Sequence, residues 1–230
     1  MNMFSNQERI DRIIGILIDS FFPILKAGIQ FTIPLTIITF VLGLILALLI
    51  ALARLSSVKV LIVLAKFYVW IFRGTPLLVQ IFILFYGLPS FGITLDPFPA
   101  AVIAFTLNKG AYSSEIIRAA ILSIPKGQWE AAFSIGMTKS QAMRRIIIPQ
   151  SIRVTLPPLG NSFISLVKDT SLAATITVTE LFQKGQQIAS VTYEPLWIYI
   201  EVAFIYLIFS TVLSYFQEKL ELRYDKGIAK

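Results

Sequence analysis

Residues 27–53 read AGIQFTIPLTIITFVLGLILALLIALA, and no charged residue stands between Lys26 and Arg54. A helix needs about 20 mostly apolar residues to cross the hydrocarbon core of a bilayer, so this run is long enough to cross with some tilt. The first span is placed near 28–53. Working outward, a second apolar region runs from about Val60 to Leu88 and contains Lys66, then Arg73-Gly74-Thr75-Pro76. Glycine and proline together predict a kink or break in that span, near 60–88. Further spans are expected near 98–122, 152–176 and 195–217. The fold expected is therefore an all-α integral membrane protein of about five transmembrane helices, with its termini on opposite sides. One transmembrane domain covers 26–217, preceded by an arm over 1–25 and followed by a tail over 218–230.

Composition supports the same class. Of 230 residues, 56% are hydrophobic and 14% charged. The mean hydropathy is +0.77. A soluble domain carries about 25% charged residues. This chain cannot cover itself with a polar surface, which excludes a soluble globule, a disordered protein and a disulfide scaffold. There is no cysteine, hence no disulfide and no thiol chemistry, and no histidine, hence no Ser-His or Cys-His catalytic pair. The net charge is +7, but it sits at membrane edges, so nucleic acid is not an expected partner.

Lysine and arginine set the expected direction, because short cytoplasmic loops are enriched in them. The long loop between the third and fourth spans holds Lys126, Lys139, Arg144 and Arg145, with Arg153 at its edge. The tail holds Lys219, Arg223, Lys226 and Lys230. The loops near 89–97 and 177–194 hold only Lys184 between them. The long loop and the C-terminus are thus expected in the cytoplasm and the N-terminus outside. Residues 5–25 do not have the pattern of a signal peptide; they read as an amphipathic helix on the outer interface or as a disordered arm.

Residues 125–150 read PKGQWEAAFSIGMTKSQAMRRIIIPQ, too rich in Lys and Arg to span. Ala131, Ala132, Ile135, Met143 and Ile146–Ile148 give this loop apolar faces. Glu130 is placed near the start of a short helix, where the positive end of the helix dipole favours it. Gly136 suits the end of that helix and a turn. A second helix is expected to begin between Lys139 and Arg145.

The spacing of Glu130-Ala131-Ala132, Gly136, Ile146 and Ile148-Pro149 resembles the EAA motif of ABC importer permeases; Ile148 stands where the family has Leu. RGTPLLVQ at 73–80, LNKGAYSSEIIRAAI at 107–121 and NSFISLVKDTSLAATI at 161–176 look like the polar amino-acid permeases of that family. Within it the likeness is greatest to the L-cystine permeases, through LDPFPAAVIAF at 95–105, IPKGQWEAA at 124–132 and FISLVKDTSLAATI at 163–176. The resemblance covers nearly the whole chain after about residue 20. It implies a type I importer permease architecture in a bacterial cell (inner) membrane, with Glu130 to Gly136 as a cytoplasmic coupling helix. It also implies import of L-cystine or a related polar amino acid by alternating access.

The partners implied are a dimer of ATPase subunits, a second permease copy, and an extracellular or periplasmic solute-binding protein. A helix bearing small residues can seat in a groove of the ATPase. Trp129 then either packs on the ATPase or anchors the helix; Ile146 and Pro149 close the motif. The chain has no Gly-x-x-x-x-Gly-Lys-Ser/Thr loop, so ATP and magnesium are expected on the ATPase and no cofactor, metal or catalytic residue on this chain.

Ionisable residues within spans usually face a bundle interior or a water-filled path. Asn108, Tyr112 and Glu115 share one face of the third span by their spacing, as do Asn161, Ser165 and Lys168 on the fourth. Asp169 follows where that helix is expected to loosen. Amino acids need partners for an ammonium and a carboxylate. Glu115 and Asp169 offer the first; Arg73, beside Thr75, and Lys168 offer the second. Structural roles are equally open: Glu115 to Arg118 or Lys109, Lys168 to Asp169, and Asn161 as glue between helices. Two rival functions are an ion-gradient-driven amino-acid transporter using Glu115, Asp169 and Glu201, and a membrane enzyme. The first does not need the coupling loop; the second lacks His, Cys and any paired carboxylates.

Overall fold

A computed structural model describes residues 3–225, which are almost entirely helical. Helix α1 (Met3–Ala27) passes through a π turn at Gly28–Thr32 into α2 (Ile33–Leu55) without a break. Helix α3 (Lys59–Gly74) is followed by α4 (Leu77–Phe82), then α5 (Pro97–Leu122), α6 (Lys126–Ser134) and α7 (Lys139–Ala142). Helix α8 (Ile148–Asp169) runs into a 3-10 segment at Thr170–Ile176, and α9 (Leu181–Thr192) and α10 (Pro195–Asp225) complete the described chain.

Proline explains three irregularities. Wide π turns occupy Gly28–Thr32, Ile83–Gly87 and Met143–Ile147, and each ends two residues before a proline: Pro34, Pro89 and Pro149. Proline has no N–H to donate, and its ring crowds the carbonyl four residues back; a widened turn relieves both. At the Arg73-Gly74-Thr75-Pro76 stretch the helix breaks outright. Thr75 is extended, at φ −121° and ψ 147°, as a residue before proline is driven to be. The axis turns by 105° between Lys59–Gly74 and Leu77–Phe91. The second apolar region is thus a bent pair of helices.

Two helices among the described residues are long and apolar enough to cross a membrane by themselves, Gln7–Leu55 with 49 residues and Pro195–Arg223 with 29. The bent pair makes a third candidate. Helices α5 and α8 have 26 and 22 residues, enough for about 30 Å or more at 1.5 Å per residue, but they carry charge. Their expected bounds, 98–122 and 152–176, fall on α5 and on α8 with its 3-10 extension.

Three expectations are corrected. The arm over 1–25 is not marked off from the first span. From Met3 on it is one helix with it, Ile24 is fully buried with Leu181, Ile198 and Ile205 of α9 and α10, and the Ser20 hydroxyl donates to Glu201; residues 1 and 2 lie outside the described residues. The tail over 218–230 is not irregular chain where it is described, because α10 continues to Asp225; residues 226–230 lie outside the described residues. The loop near 177–194 contains a helix, α9, capped by Glu180.

The centre of the bundle is the pair α2 and α5, which run side by side in the same direction. A Cβ on Gly43 would sit 3.2 Å from Lys109 Cβ, and one on Gly110 would meet Leu46 Cδ2 and Tyr68 Oη at 2.8 Å. Small residues permit this approach, as is usual where lipid leaves no hydrophobic drive between helices. Gly110→Leu is therefore expected to destabilise the solubilised protein by about 1–3 kcal/mol, the usual cost of overpacking. Gly15→Ala, where a Cβ meets nothing within 4 Å, should be neutral. Thermal unfolding of both variants in detergent checks this.

Candidate functional site

The loop over 125–150 folds as two short helices with a defined corner. At the end of α6 the Gly136 N–H donates to Phe133 O (2.9 Å) and the Met137 N–H to Ala132 O (3.1 Å). This is a Schellman closure, and it requires the positive φ of 78° that Gly136 adopts. Thr138 then opens α7 with a reciprocal capping box: Gln141 N–H donates to Thr138 Oγ1, and Thr138 N–H donates to Gln141 Oε1. Glu130 is the fifth of nine residues in α6, so the expected dipole contact at the helix start is not made.

One face of this corner is sealed. Ala132, Ala142 and Ile147 are fully buried. Trp129, Met143 and Ile146 pack against Ala47, Ala51, Ile117, Ile121 and Ile124 at the ends of α2 and α5. The other face is open: Glu130, Ala131 and Gly136 are exposed, as are Phe133 (48%) and Ile135 (71%). A Cβ at Gly136 would meet nothing within 4 Å. Trp129 thus anchors the helix to the bundle. Phe133 and Ile135, which the motif did not single out, are the apolar groups left facing outward. Pro149 is exposed at the first turn of α8.

The polar residues of the bundle form several separate groups. At the break after α3, the Gln80 amide donates to the carbonyls of Phe72 (3.0 Å) and Thr75 (3.1 Å) and to Thr75 Oγ1 (2.8 Å). Its oxygen accepts from Asn108 Nδ2 (3.0 Å), which also donates to Phe72 O (3.3 Å). Thr75 and Asn108 are therefore engaged in holding the break. Gln80 is the only polar side chain between Leu77 and Phe85, a signal the sequence reading passed over.

Further along α5, the Arg73 guanidinium lies 5.2 Å from the centre of the Tyr112 ring. This distance is within cation–π range. Glu115 pairs with Arg54 of α2 and, at 3.0 Å, with Arg118 one turn on. Lys109 pairs with Asp169 at 2.8 Å, joining α5 to the end of α8. Of the expected structural partners, Arg118 is found with Glu115. Lys109 takes Asp169, and Lys168 does not.

The α8 stripe is exposed at Asn161, Ser165 and Lys168. Asn161 accepts from Gln217 of α10 (3.3 Å). Lys168 opens onto a groove of about 510 Å³ lined also by Ser171, Tyr199, Tyr206 and Ser210. Outside the spans, Glu180 is fully buried. It accepts from Gln183 N–H (2.7 Å), Tyr206 Oη (2.8 Å) and Thr32 Oγ1 (3.4 Å), tying α9 to α10 and to the π turn before α2. Burial pushes its carboxyl up, against hydrogen bonds that favour the charged form. Beyond its cap of α9, no spacing rule points to the burial of Glu180, because Thr32 and Tyr206 come from two distant parts of the chain.

Residues 40–226 match the family of binding-protein-dependent transport system inner membrane components. The chain belongs to that family. This permease is 58% identical over 212 residues to the L-cystine transport system permease protein TcyB of Bacillus subtilis (strain 168), covering 92% of this chain and 91% of the relative. It is 39% identical over 218 residues to TcyL, an L-cystine transport system permease protein of the same organism, covering 92% and 91%. Among solved structures it resembles an amino acid ABC transporter crystallised with histidines, at TM-score 0.80 and 36% identity over 97% of this chain and 99% of that one. The permease is thus a multi-pass membrane subunit of an ABC importer, and the ion-gradient alternative is set aside.

Proposed function

We infer that this permease imports L-cystine, with other polar amino acids as the nearest alternatives. The observation that carries the reading is the 58% identity to an L-cystine permease, spread over nine-tenths of both chains. The reading includes five spans, the N-terminus outside and the C-terminus in the cytoplasm, in agreement with the placement of Lys and Arg. A second copy of the chain, a pair of ATPases and an external binding protein complete the importer. ATP and magnesium belong to the ATPases, and this chain does no covalent chemistry.

In this reading the open face of the α6 corner docks on the ATPase. Phe133, Ile135 and Glu130 meet its groove, and Trp129, Ala132 and Ile146 carry the displacement to the ends of α2 and α5. Alternating access follows as those ends move. Arg73, Tyr112, Ser165, Lys168 and Asp169 line the path for cargo; Thr75, Asn108, Glu115 and Asn161 hold the helices that frame it. A cargo shifts the equilibrium between outward and inward states only as far as it binds them differently.

The test is uptake of labelled L-cystine by cells expressing this chain with its ATPase and binding protein, competed by a panel of unlabelled amino acids. Suppression by cystine and its close analogues alone is the expected result. Uptake of arginine, glutamine or histidine without cystine would overturn the specificity, and uptake without the ATPase would overturn the coupling. In the same assay Ile135→Asp is expected to lower uptake roughly tenfold or more, as loss of a buried apolar contact worth about 1.5–3 kcal/mol would. Its membrane level should not change, because Ile135 touches little of its own chain. Wild-type uptake by Ile135→Asp would remove that residue from the docking face.

A further inference from the structure

Glu115 of α5 and Asp169 at the end of α8 are each matched by a cation, whereas Arg73 of α3 and Lys168 of α8 are not. Asp169 is held by Lys109, which is itself only 8% exposed. Glu115 is held by Arg54 and Arg118. Among the described residues, neither Arg73 nor Lys168 has a carboxylate within ion-pair distance; Arg73 rests on the Tyr112 ring and Lys168 opens onto its groove.

We propose that Lys109 is a specificity-determining residue: by neutralising Asp169 it withholds from the cargo the one carboxylate that an extra cationic group would need. The stripes then favour amino acids whose carboxylates equal or outnumber their ammonium groups. They disfavour those with a cationic side chain, such as arginine, lysine and ornithine. Cystine suits such a path, with two carboxylates for two unmatched cations and no net charge. A cationic amino acid would bring its additional charge against Arg73 and Lys168 with nothing to compensate it, and like-charge juxtaposition is a strong means of rejection. The burial of Lys109 matters as well. The base of its side chain is packed against Gly43 of α2 and its ammonium is held at Asp169, so it does not swing aside as a surface lysine would.

The inference rests on the reading that cargo touches these stripes, so its test must separate the two. The permease–ATPase complex, without binding protein, is placed in nanodiscs, and binding of labelled L-cystine and labelled L-arginine is measured. The binding protein is omitted because it would impose its own selection. The wild type should favour cystine. Lys109→Met should shift the arginine-to-cystine ratio toward arginine by roughly tenfold or more, the effect of one ion pair made available. Lys109→Arg should retain the wild-type ratio, and Lys109→Met combined with Asp169→Asn should lose the gain. A Lys109→Met complex that assembles, hydrolyses ATP and keeps the wild-type ratio overturns the role of Lys109 alone. Binding of neither amino acid to the wild type overturns the contact reading and this inference with it.

Discussion

Gln80→Leu is expected to abolish stable assembly of the permease or leave it several degrees less stable, with uptake lost in proportion. The break after α3 frees carbonyls that a continuous helix would have used, and lipid offers them no donor. The side chain of Gln80 is 94% buried and supplies that donor from within the protein, reaching the carbonyls of Phe72 and Thr75 and the Thr75 hydroxyl while accepting from Asn108. Leucine fills a similar volume and supplies nothing. Each buried polar group left without a partner costs about 1–3 kcal/mol; the Phe72 carbonyl keeps Asn108 as its donor while the Thr75 carbonyl loses Gln80, so about 1–3 kcal/mol is at stake. Gln80→Glu is the sharper variant. It keeps the shape and the acceptor for Asn108 but cannot donate when ionised. Thermal unfolding in detergent should rank wild type above Gln80→Glu and Gln80→Leu alike. A Gln80→Glu protein as stable as the wild type would show that donation to the break is not what Gln80 does.

The same residue marks where sequence reading stops. The charge-free run before Arg54 and the 26 residues of α5 are legible because crossing a bilayer demands length and apolarity over one continuous stretch. The break at Gly74–Pro76 is legible because the backbone limits of glycine and proline are local. The Schellman corner at Gly136 is legible for the same reason. Lone polar residues in an apolar stretch can be found by inspection, but their partners cannot. Which of Lys168 or Lys109 reaches Asp169 depends on the rotation of α8 against α5, and nothing local to either helix fixes that. Helix α9 was missed for a related reason: its stretch is polar on one side and reads as loop until α1 and α10 are known to cover Leu181 and Ala189. The coupling motif revealed where the loop lies but not its two-sidedness. Trp129 turns inward and Ile135 outward only because the ends of α2 and α5 provide a surface for the first.

Glu115→Ala is expected to reduce uptake roughly tenfold or more through loss of structure at the C-terminal ends of α2 and α5. Glu115 is the single carboxylate between Arg54 and Arg118, and Arg73 also bears electrostatically on Arg54. With the carboxylate gone, the Arg54 and Arg118 guanidinium groups lose their shared partner where the side chains of the pairs are only 14–28% exposed. Removing one partner of a fully buried pair costs about 3–5 kcal/mol; partial exposure brings the expected figure to about 1–3 kcal/mol. Ile117 and Ile121, against which Trp129 of α6 packs, lie within two turns of Glu115, so transport should suffer more than insertion. The double variant with Arg54→Ala separates this from a direct contact with cargo. If Glu115 acts by neutralising Arg54, removing both should recover part of what the single change loses, a coupling readable as a double-mutant cycle on uptake and on thermal stability. If Glu115 acts on cargo, the double variant should be no better than Glu115→Ala alone. The geometry favours recovery, because both oxygens of Glu115 are already taken by arginines of the chain.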